Sequence, residues 1–284
     1  MHAAGLSEGN RLIEALLAAL AGLLIGSFLN VCIYRLPRDL SVVTPRSFCP
    51  ECDRGIAWYD NVPLLSFILL RGRCRHCHAR ISFRYPAVEL LTAICFFIAV
   101  WFRPNGIDGL AVKYCIFSAI VIALIFSDIE ERILPDEFTL GGTAAGLIIA
   151  WVVPSRVGIW HFFLRSIDNP RLLSLVDAAF AAGFSSLTLW MIGFLYKKVR
   201  HREGLGLGDV KMVAMIGAFL GLSGVLMTLI AGSLMGAVIG ICYIFFAGKD
   251  AATYELPMGT FLGVAALAVA FWSEAVLRWY GGLG

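Results

Sequence analysis

Long apolar runs are the sequence feature that most restricts how this chain folds. Hydrophobic residues make up 59% of its 284 residues and charged residues only 15%, with a mean hydropathy of +0.81. A run of roughly 17 to 25 apolar residues can cross a bilayer as a helix, because a helix pairs its own backbone N–H and C=O groups. The runs therefore predict an all-α polytopic membrane protein with about eight transmembrane helices, at residues 12–34, 87–102, 110–127, 138–153, 173–196, 210–222, 224–247 and 257–279.

Basic residues indicate how the helices are oriented. The polar segment at residues 35–86 separates the first two runs and carries many arginines. Because basic residues concentrate in cytosolic loops, we expect this segment in the cytosol and the N-terminus outside. Alternation then places residues 127–138 and 197–209 in the cytosol and residues 154–171 outside. The formal net charge of only +3 gives no indication of a nucleic-acid partner.

Four cysteines in the polar segment have the spacing of a metal site. The pairs lie in "CPEC" and "CRHC" and are separated by residues 53–73. Each C-x-x-C pair places two thiolates on one tight turn, and two such turns can close on a single tetrahedral zinc ion. A polar segment of this length builds little hydrophobic core, so a structural metal would supply folding energy. The predicted zinc ligands are Cys49, Cys52, Cys74 and Cys77.

Two other interpretations of these cysteines stay open at this point. They could form a thiol–disulfide redox centre in a membrane oxidoreductase, although such centres act on the oxidising side of the membrane. They could also be idle thiols. His76 and His78 lie close enough in sequence to replace a cysteine ligand, but with four thiolates present we expect them to be surface residues.

Carboxylates at the ends of apolar runs require an explanation, because an intramembrane carboxylate is costly and usually functional. Asp128 ends the run "CIFSAIVIALIFSD", where the helix dipole opposes its charge. Asp209 lies at a helix start in "GLGLGDVK" beside Lys211, which we expect to favour its charge. Asp136, in "LPDEF", is expected to cap a helix N-terminus. The acids considered are Glu89, Asp128, Asp136, Asp177 and Asp209.

Asp128 and Asp209 are predicted to meet at the cytosolic boundary of the membrane. Two carboxylates in a low-dielectric site share a proton, so that one activates a water while the other polarises a carbonyl. We expect Asp209 to be the base and Asp128 the protonated partner, with Gly204, Gly206 and Gly208 letting the loop move. This is the chemistry of amide hydrolysis. The alternatives are a proton-coupled transporter that uses the same acids as a relay, and a non-catalytic membrane scaffold.

Several ordered motifs resemble those of the bacterial type IV prepilin peptidases, which are intramembrane aspartyl proteases with a G-x-G-D signature. The resemblance runs from about residue 22 to residue 263. It includes "GSFLNVCIYRLP", "WYDNVPLLSF", "GRCRHC", "RYPAVELLT", "SDIEERILPDEF" and "GLGLGDVK". One departure is "PMGTFLG" at residues 257–263, where the family more often has P-F-G-P.

The resemblance implies an enzyme with catalytic aspartates at Asp128 and Asp209. Its substrates would be type IV prepilin or pseudopilin precursors, cleaved between a short basic leader and an apolar helix. The resemblance further implies N-methylation of the new N-terminus with S-adenosylmethionine, for which the sequence offers no glycine-rich nucleotide loop. It also implies a multi-pass protein of the bacterial inner (cytoplasmic) membrane, in contact with lipid, with its active site at the cytosolic side.

The expected organisation has three parts. Residues 1–34 form the first transmembrane helix, residues 35–86 the cytosolic zinc-binding domain, and residues 87–284 the transmembrane peptidase domain.

Overall fold

The structure is a computed structural model that describes residues 7–154, 169–201, 205–247 and 257–281. Eight α-helices lie in these ranges: α1 (Glu8–Arg35), α2 (Leu65–Leu69), α3 (Arg84–Trp101), α4 (Gly109–Glu131), α5 (Asp136–Val152), α6 (Pro170–Arg200), α7 (Leu207–Ala247) and α8 (Met258–Gly281). Most of the predicted outside loop at 154–171, and Gly204, fall outside the described residues.

The prediction of an all-α membrane protein is confirmed. Each of the eight apolar runs falls on a helix, with the sixth and seventh joined in α7. Among the described residues, five helices are long and apolar enough to cross a membrane, and Met258–Trp272 is a shorter apolar helix. The five are Glu8–Arg38, Arg84–Trp101, Gly109–Glu131, Pro170–Arg200 and Leu207–Cys242.

The chain divides into two compact units, Met1–Ser127 and Asp128–Gly284. In the first unit, α1 packs closely against α3 because glycines remove side chains from the contact. A Cβ atom on Gly22 would lie 2.8 Å from the Ala93 Cα, and one on Gly26 would lie 2.7 Å from the Glu89 Cα. The cysteine-bearing segment connects α1 to α3 and contains the short helix α2 and two 3₁₀ turns, Leu36–Arg38 and Trp58–Asn61.

In the second unit, α7 is the helix against which α5, α6 and α8 all pack. Its contacts again depend on small residues: a Cβ atom on Gly217 would lie 2.9 Å from the backbone of Ala181 in α6. The side chains of Met212, Val213, Met215 and Ile216 are fully buried. The first third of α7 is therefore the centre of this unit.

A break in the backbone divides α7 near its middle. Gly221 has φ 70° and ψ −177°, values outside the helical region that favour glycine. The break falls at the end of the predicted run 210–222, two residues before the predicted boundary at residue 223. The part before it spans 14 residues, or about 21 Å at the rise of an α-helix, which is shorter than the roughly 30 Å hydrocarbon core.

The close contact at Gly217 generates a prediction about stability. Gly217→Ala should lower the free energy of unfolding in detergent by about 1 to 3 kcal/mol, because the new methyl group meets backbone atoms of Ala181 that cannot move aside. Thermal unfolding of the purified protein measures this.

Gly183→Ala in α6 is the matched control, because a Cβ atom there would have no neighbour within 4 Å among the described residues. This variant should be unchanged or slightly more stable, since alanine is the better helix former. Equal stability of both variants would contradict the close packing of Gly217 against Ala181.

Candidate active site and candidate metal centre

Asp128 lies in the last turn of α4, as expected, and only 6% of its surface is exposed. One of its carboxylate oxygens, Oδ2, accepts two hydrogen bonds from the same residue at the start of α8. The Thr260 backbone N–H donates at 2.7 Å and the Thr260 hydroxyl donates at 2.8 Å. The buried carboxylate is therefore held by donors from a helix that lies 132 residues away in sequence.

Asp209 is in the first turn of α7 and is half-buried. The backbone of Gly206 makes a hydrogen bond with its carboxylate. Leu207, the first residue of α7, follows Gly206 directly, so the loop before the helix helps to place the acid.

Asp128 and Asp209 line the same cavity, which has a volume of about 270 Å³. The structure thus brings together the two acids that the sequence paired. The other lining residues are Arg132, Ile133, Leu134, Asp136, Gly206, Gly208 and Lys211. The cavity has room for a short stretch of peptide backbone, and it combines carboxylates and cations with apolar side chains.

Asp136 does not cap α5, contrary to expectation. Pro135 occupies the N-cap position and no side chain makes a capping hydrogen bond. Asp136 is instead the first residue of the helix, and both its carboxylate oxygens accept hydrogen bonds from the Lys211 ammonium, at 2.7 and 2.9 Å. Lys211 therefore pairs with Asp136, a partner that the sequence did not predict.

Glycines allow the backbone to approach the two acids closely. A Cβ atom on Gly259 would lie 3.2 Å from both the Asp128 Cγ and the Leu134 Cδ1. One on Gly208 would lie 3.2 Å from the Leu134 Cβ, and one on Gly206 would lie 3.3 Å from the Asp209 Oδ2. Larger residues at these positions would occupy space next to the carboxylates.

The remaining acids are not part of this cavity. Glu89 belongs to α3 in the first unit, where its Oε2 accepts a hydrogen bond from the Leu64 N–H at 2.8 Å. Glu89 thereby holds the residue that precedes α2. Asp177 is buried within α6. Both side chains are buried.

The two cysteine pairs form turns with the same hydrogen-bond pattern. The N–H of the first cysteine donates to the carbonyl five residues later: Cys49 to Arg54, and Cys74 to Ala79. The N–H four residues after the first cysteine donates back to it, from Asp53 and from His78. These two donor residues both have positive φ, at 51° and 57°. An isolated β-bridge flanks each turn, Phe48 with Gly55 and Arg73 with Arg80.

The four sulfurs face one another at distances that suit a metal ion. All four lie within 4.8 Å of one another, and the Cys49 and Cys77 sulfurs are 3.8 Å apart. Zinc bound tetrahedrally by four thiolates at about 2.3 Å separates the sulfurs by about 3.8 Å. A disulfide requires about 2.05 Å, and the cysteines are free thiols. The donor set and its spacing therefore fit a tetrahedral thiolate site.

Backbone groups of the second turn favour the thiolate form of one of its two cysteines, Cys74. Hydrogen bonds from the backbone of Cys77 and His76 lower the pKa of the Cys74 thiol to about 7. The thiolate is the metal-binding form, so this lowering favours metal binding at Cys74, whereas the pKa values of Cys49 and Cys77 are raised. Arg75 in the same turn donates to both carboxylate oxygens of Asp60, through its Nε at 2.7 Å and its Nη2. This pair ties the turn to the 3₁₀ turn Trp58–Asn61.

Sequence reasoning missed three contributors to the aspartate site: Thr260, Gly259 and the Lys211–Asp136 pair. Thr260 and Gly259 lie in "PMGTFLG", the segment that departs from the pattern P-F-G-P. That departure was the available signal, because a threonine offers two donors at a position where proline offers none.

Comparison with known families agrees with this arrangement. Residues 20–103 match the bacterial peptidase A24 N-terminal domain, and residues 115–241 match the type IV leader peptidase family. The first match contains the four predicted zinc ligands, and the second contains Asp128 and Asp209. Among solved structures, none matches the chain significantly.

Curated relatives are named prepilin leader peptidase/N-methyltransferase. The protein from Myxococcus xanthus is 40% identical over 80% of this chain, and the match covers 62% of that relative, less than two thirds of its length. The protein from Aeromonas hydrophila is 34% identical over 93% of this chain and 92% of its own length. That from Pseudomonas aeruginosa is 32% identical, over 92% and 91% respectively. Because the Aeromonas and Pseudomonas relatives are matched over 92% and 91% of their length, and both domains are present in order, the chain belongs to the type IV leader peptidase family.

Proposed function

We propose that this protein is a membrane aspartyl endopeptidase that removes the short basic leader of type IV prepilin-like precursors and N-methylates the new N-terminus. The observation that carries the peptidase activity is the shared cavity of Asp128 and Asp209. Family membership and the apolar helices indicate a multi-pass inner membrane protein. In this proposal, residues 1–34 are the first membrane helix, residues 35–86 the zinc-binding domain and residues 87–284 the peptidase domain.

The proposed reaction is hydrolysis of one peptide bond by the aspartate pair. One carboxylate takes a proton from a water, whose oxygen attacks the scissile carbonyl carbon. The other carboxyl, protonated, donates a hydrogen bond to the carbonyl oxygen. The C–N bond then breaks and a proton passes to the leaving nitrogen. The two acids titrate as a coupled pair, so we treat them as one catalytic unit.

The proposed substrates follow from the family and from the cavity. Relatives carry the words prepilin leader peptidase in their names. A precursor whose apolar helix is inserted in the membrane presents its leader at the membrane boundary, which is where Asp128 and Asp209 are expected to lie. Methyl transfer, with S-adenosylmethionine as donor, rests on the family alone, and we assign no residues to it.

Structural zinc at Cys49, Cys52, Cys74 and Cys77 is part of the proposal. When bound, the ion would link the two cysteine turns and supply folding energy to the segment around them. The sulfur distances and the matching turns support this role.

A proton-coupled transporter and a thiol–disulfide redox protein find no support in these comparisons. Incubating the detergent-solubilised protein with a purified prepilin separates the proposal from both, because only a peptidase shortens the precursor. Mass spectrometry of the product reports leader removal and N-methylation together. An intact precursor would contradict the proposal.

The aspartate variants provide the sharpest test of the peptidase site. Asp128→Asn and Asp209→Asn should each lower leader cleavage by a factor of roughly 10² to 10⁴, which is the typical contribution of a general acid or base. The precursor assay measures this, with insertion and folding checked by gel filtration.

Asp136→Asn is the matched control, since it removes a third carboxylate of the same cavity. Asp136 is paired with Lys211, and its side chain is 56% exposed. This variant should keep at least part of the activity. If it is the inactive one while Asp128→Asn still cleaves, the catalytic pair has been assigned wrongly.

The zinc proposal predicts about one zinc ion per chain in purified protein. Cys52→Ser should reduce the bound zinc strongly and destabilise the segment by several kcal/mol, because metal binding and folding are coupled there. Metal analysis and limited proteolysis measure the two effects. Cys242→Ser, which removes an exposed thiol of the second unit, should change neither. Zinc-free protein with the four cysteines in disulfides would support the redox interpretation instead.

The proposed orientation places the N-terminus outside and residues 128–137 and 197–209 in the cytosol. Cysteines introduced at Glu137 and Lys198, both exposed, should resist a membrane-impermeant thiol reagent applied from outside. A cysteine at Asn105, in the loop between α3 and α4, should react with it. Strong labelling from outside at position 137 or 198 would contradict the predicted topology.

A further inference from the structure

We propose that Thr260 is a positioning residue of the peptidase site. By donating two hydrogen bonds to one carboxylate oxygen of Asp128, Thr260 confines proton exchange to the other oxygen. The inference rests on the proposed function. It goes beyond it by adding a residue from α8 that the aspartate motifs do not contain.

The geometry of the contact supports this role. Both donors of Thr260, the backbone N–H and the hydroxyl, bind the same oxygen of Asp128, at 2.7 and 2.8 Å. These distances are typical of hydrogen bonds to a carboxylate. Because the backbone donor is fixed by the start of α8 and the hydroxyl by the side chain, the two bonds together restrict the rotation of the carboxylate about its last bond.

The two bonds also determine where a proton can reside on Asp128. An oxygen that accepts two hydrogen bonds directs its lone pairs at the donors and has none left for a proton of its own. As long as Thr260 donates both bonds, a proton that Asp128 carries therefore resides on Oδ1. In the proposed reaction, this is the oxygen that either takes the proton of the water or donates to the substrate carbonyl.

The chain sequence around Thr260 makes this contact possible. Gly259 lets the backbone approach, since even a Cβ atom there would be 3.2 Å from the Asp128 carboxylate carbon. Thr260 is the third residue of α8, and its N–H is one of those that a helix start leaves without an intrahelical partner. A proline at this position would provide neither an N–H nor a hydroxyl.

Replacing Thr260 by valine and by serine tests the inference. Thr260→Val keeps the shape and the backbone donor but loses the hydroxyl, so kcat for prepilin cleavage should fall roughly 10- to 100-fold, the effect of a lost hydrogen bond to a charged group. KM should stay close to that of the parent protein, because Thr260 contacts Asp128 and has no assigned contact with substrate. Thr260→Ser keeps both donors and should keep kcat within about threefold of the parent.

Thr228→Val is the matched control. Thr228 is a fully buried threonine of the same unit whose hydroxyl donates to the Gly224 carbonyl within its own helix. This variant should keep kcat, which separates the loss of a buried hydroxyl from the loss of this particular contact. Should Thr260→Val not accumulate in the membrane, Thr260→Ala loses the same hydroxyl without a second methyl group.

Three results would overturn the inference: a kcat for Thr260→Val within about twofold of the parent, an equal fall for Thr260→Ser, or a rise in KM alone. Each of them presupposes that the parent protein cleaves the precursor. Absence of cleavage by the parent contradicts the proposed function itself, so the two failures are distinguishable.

Discussion

The burial of a carboxylate in an apolar helical unit is the constraint on which the arrangement of the second unit depends. Asp128 is 6% exposed, and a carboxylate removed from water needs hydrogen-bond donors to replace its hydration. Thr260 supplies two such donors from the start of α8. Gly259 makes the approach possible. The position of the first turn of α8 relative to Asp128 is therefore coupled to the chemistry of the site.

The helices could be predicted from the sequence because the signal for each is local. An apolar run of sufficient length has to pair its backbone internally, whatever surrounds it. What the runs could not predict is how they connect. Residues 207–247 form one element with a break at Gly221, and that break depends on a single positive φ rather than on hydrophobicity. The packing at Gly217 against Ala181 is likewise a tertiary property, invisible to periodicity.

The candidate sites show the same division between local and distant information. The cysteine turns are local: two C-x-x-C pairs predict two tight turns, and the structure has both with matching hydrogen bonds. The prediction that Asp136 caps α5 was wrong. It came from a local rule for helix starts, whereas the partner of Asp136, Lys211, lies 75 residues away in sequence. Thr260 was missed for the same reason, at a separation of 132 residues from Asp128.

Helix dipoles explain why local reasoning about Asp128 was incomplete. Asp128 lies at the C-terminal end of α4, and taken alone that dipole opposes a negative charge. In the folded unit, however, the N-terminal turn of α8 donates to the same carboxylate, and a helix N-terminus favours negative charge. The two helix ends therefore act on Asp128 in opposite senses. Asp209 is in the first turn of its own helix, α7. Each acid of the pair thus lies at the positive end of a helix: Asp209 at the start of its own helix, α7, and Asp128 beside the start of α8. These two helix ends help an apolar membrane protein to keep two carboxylates in one cavity.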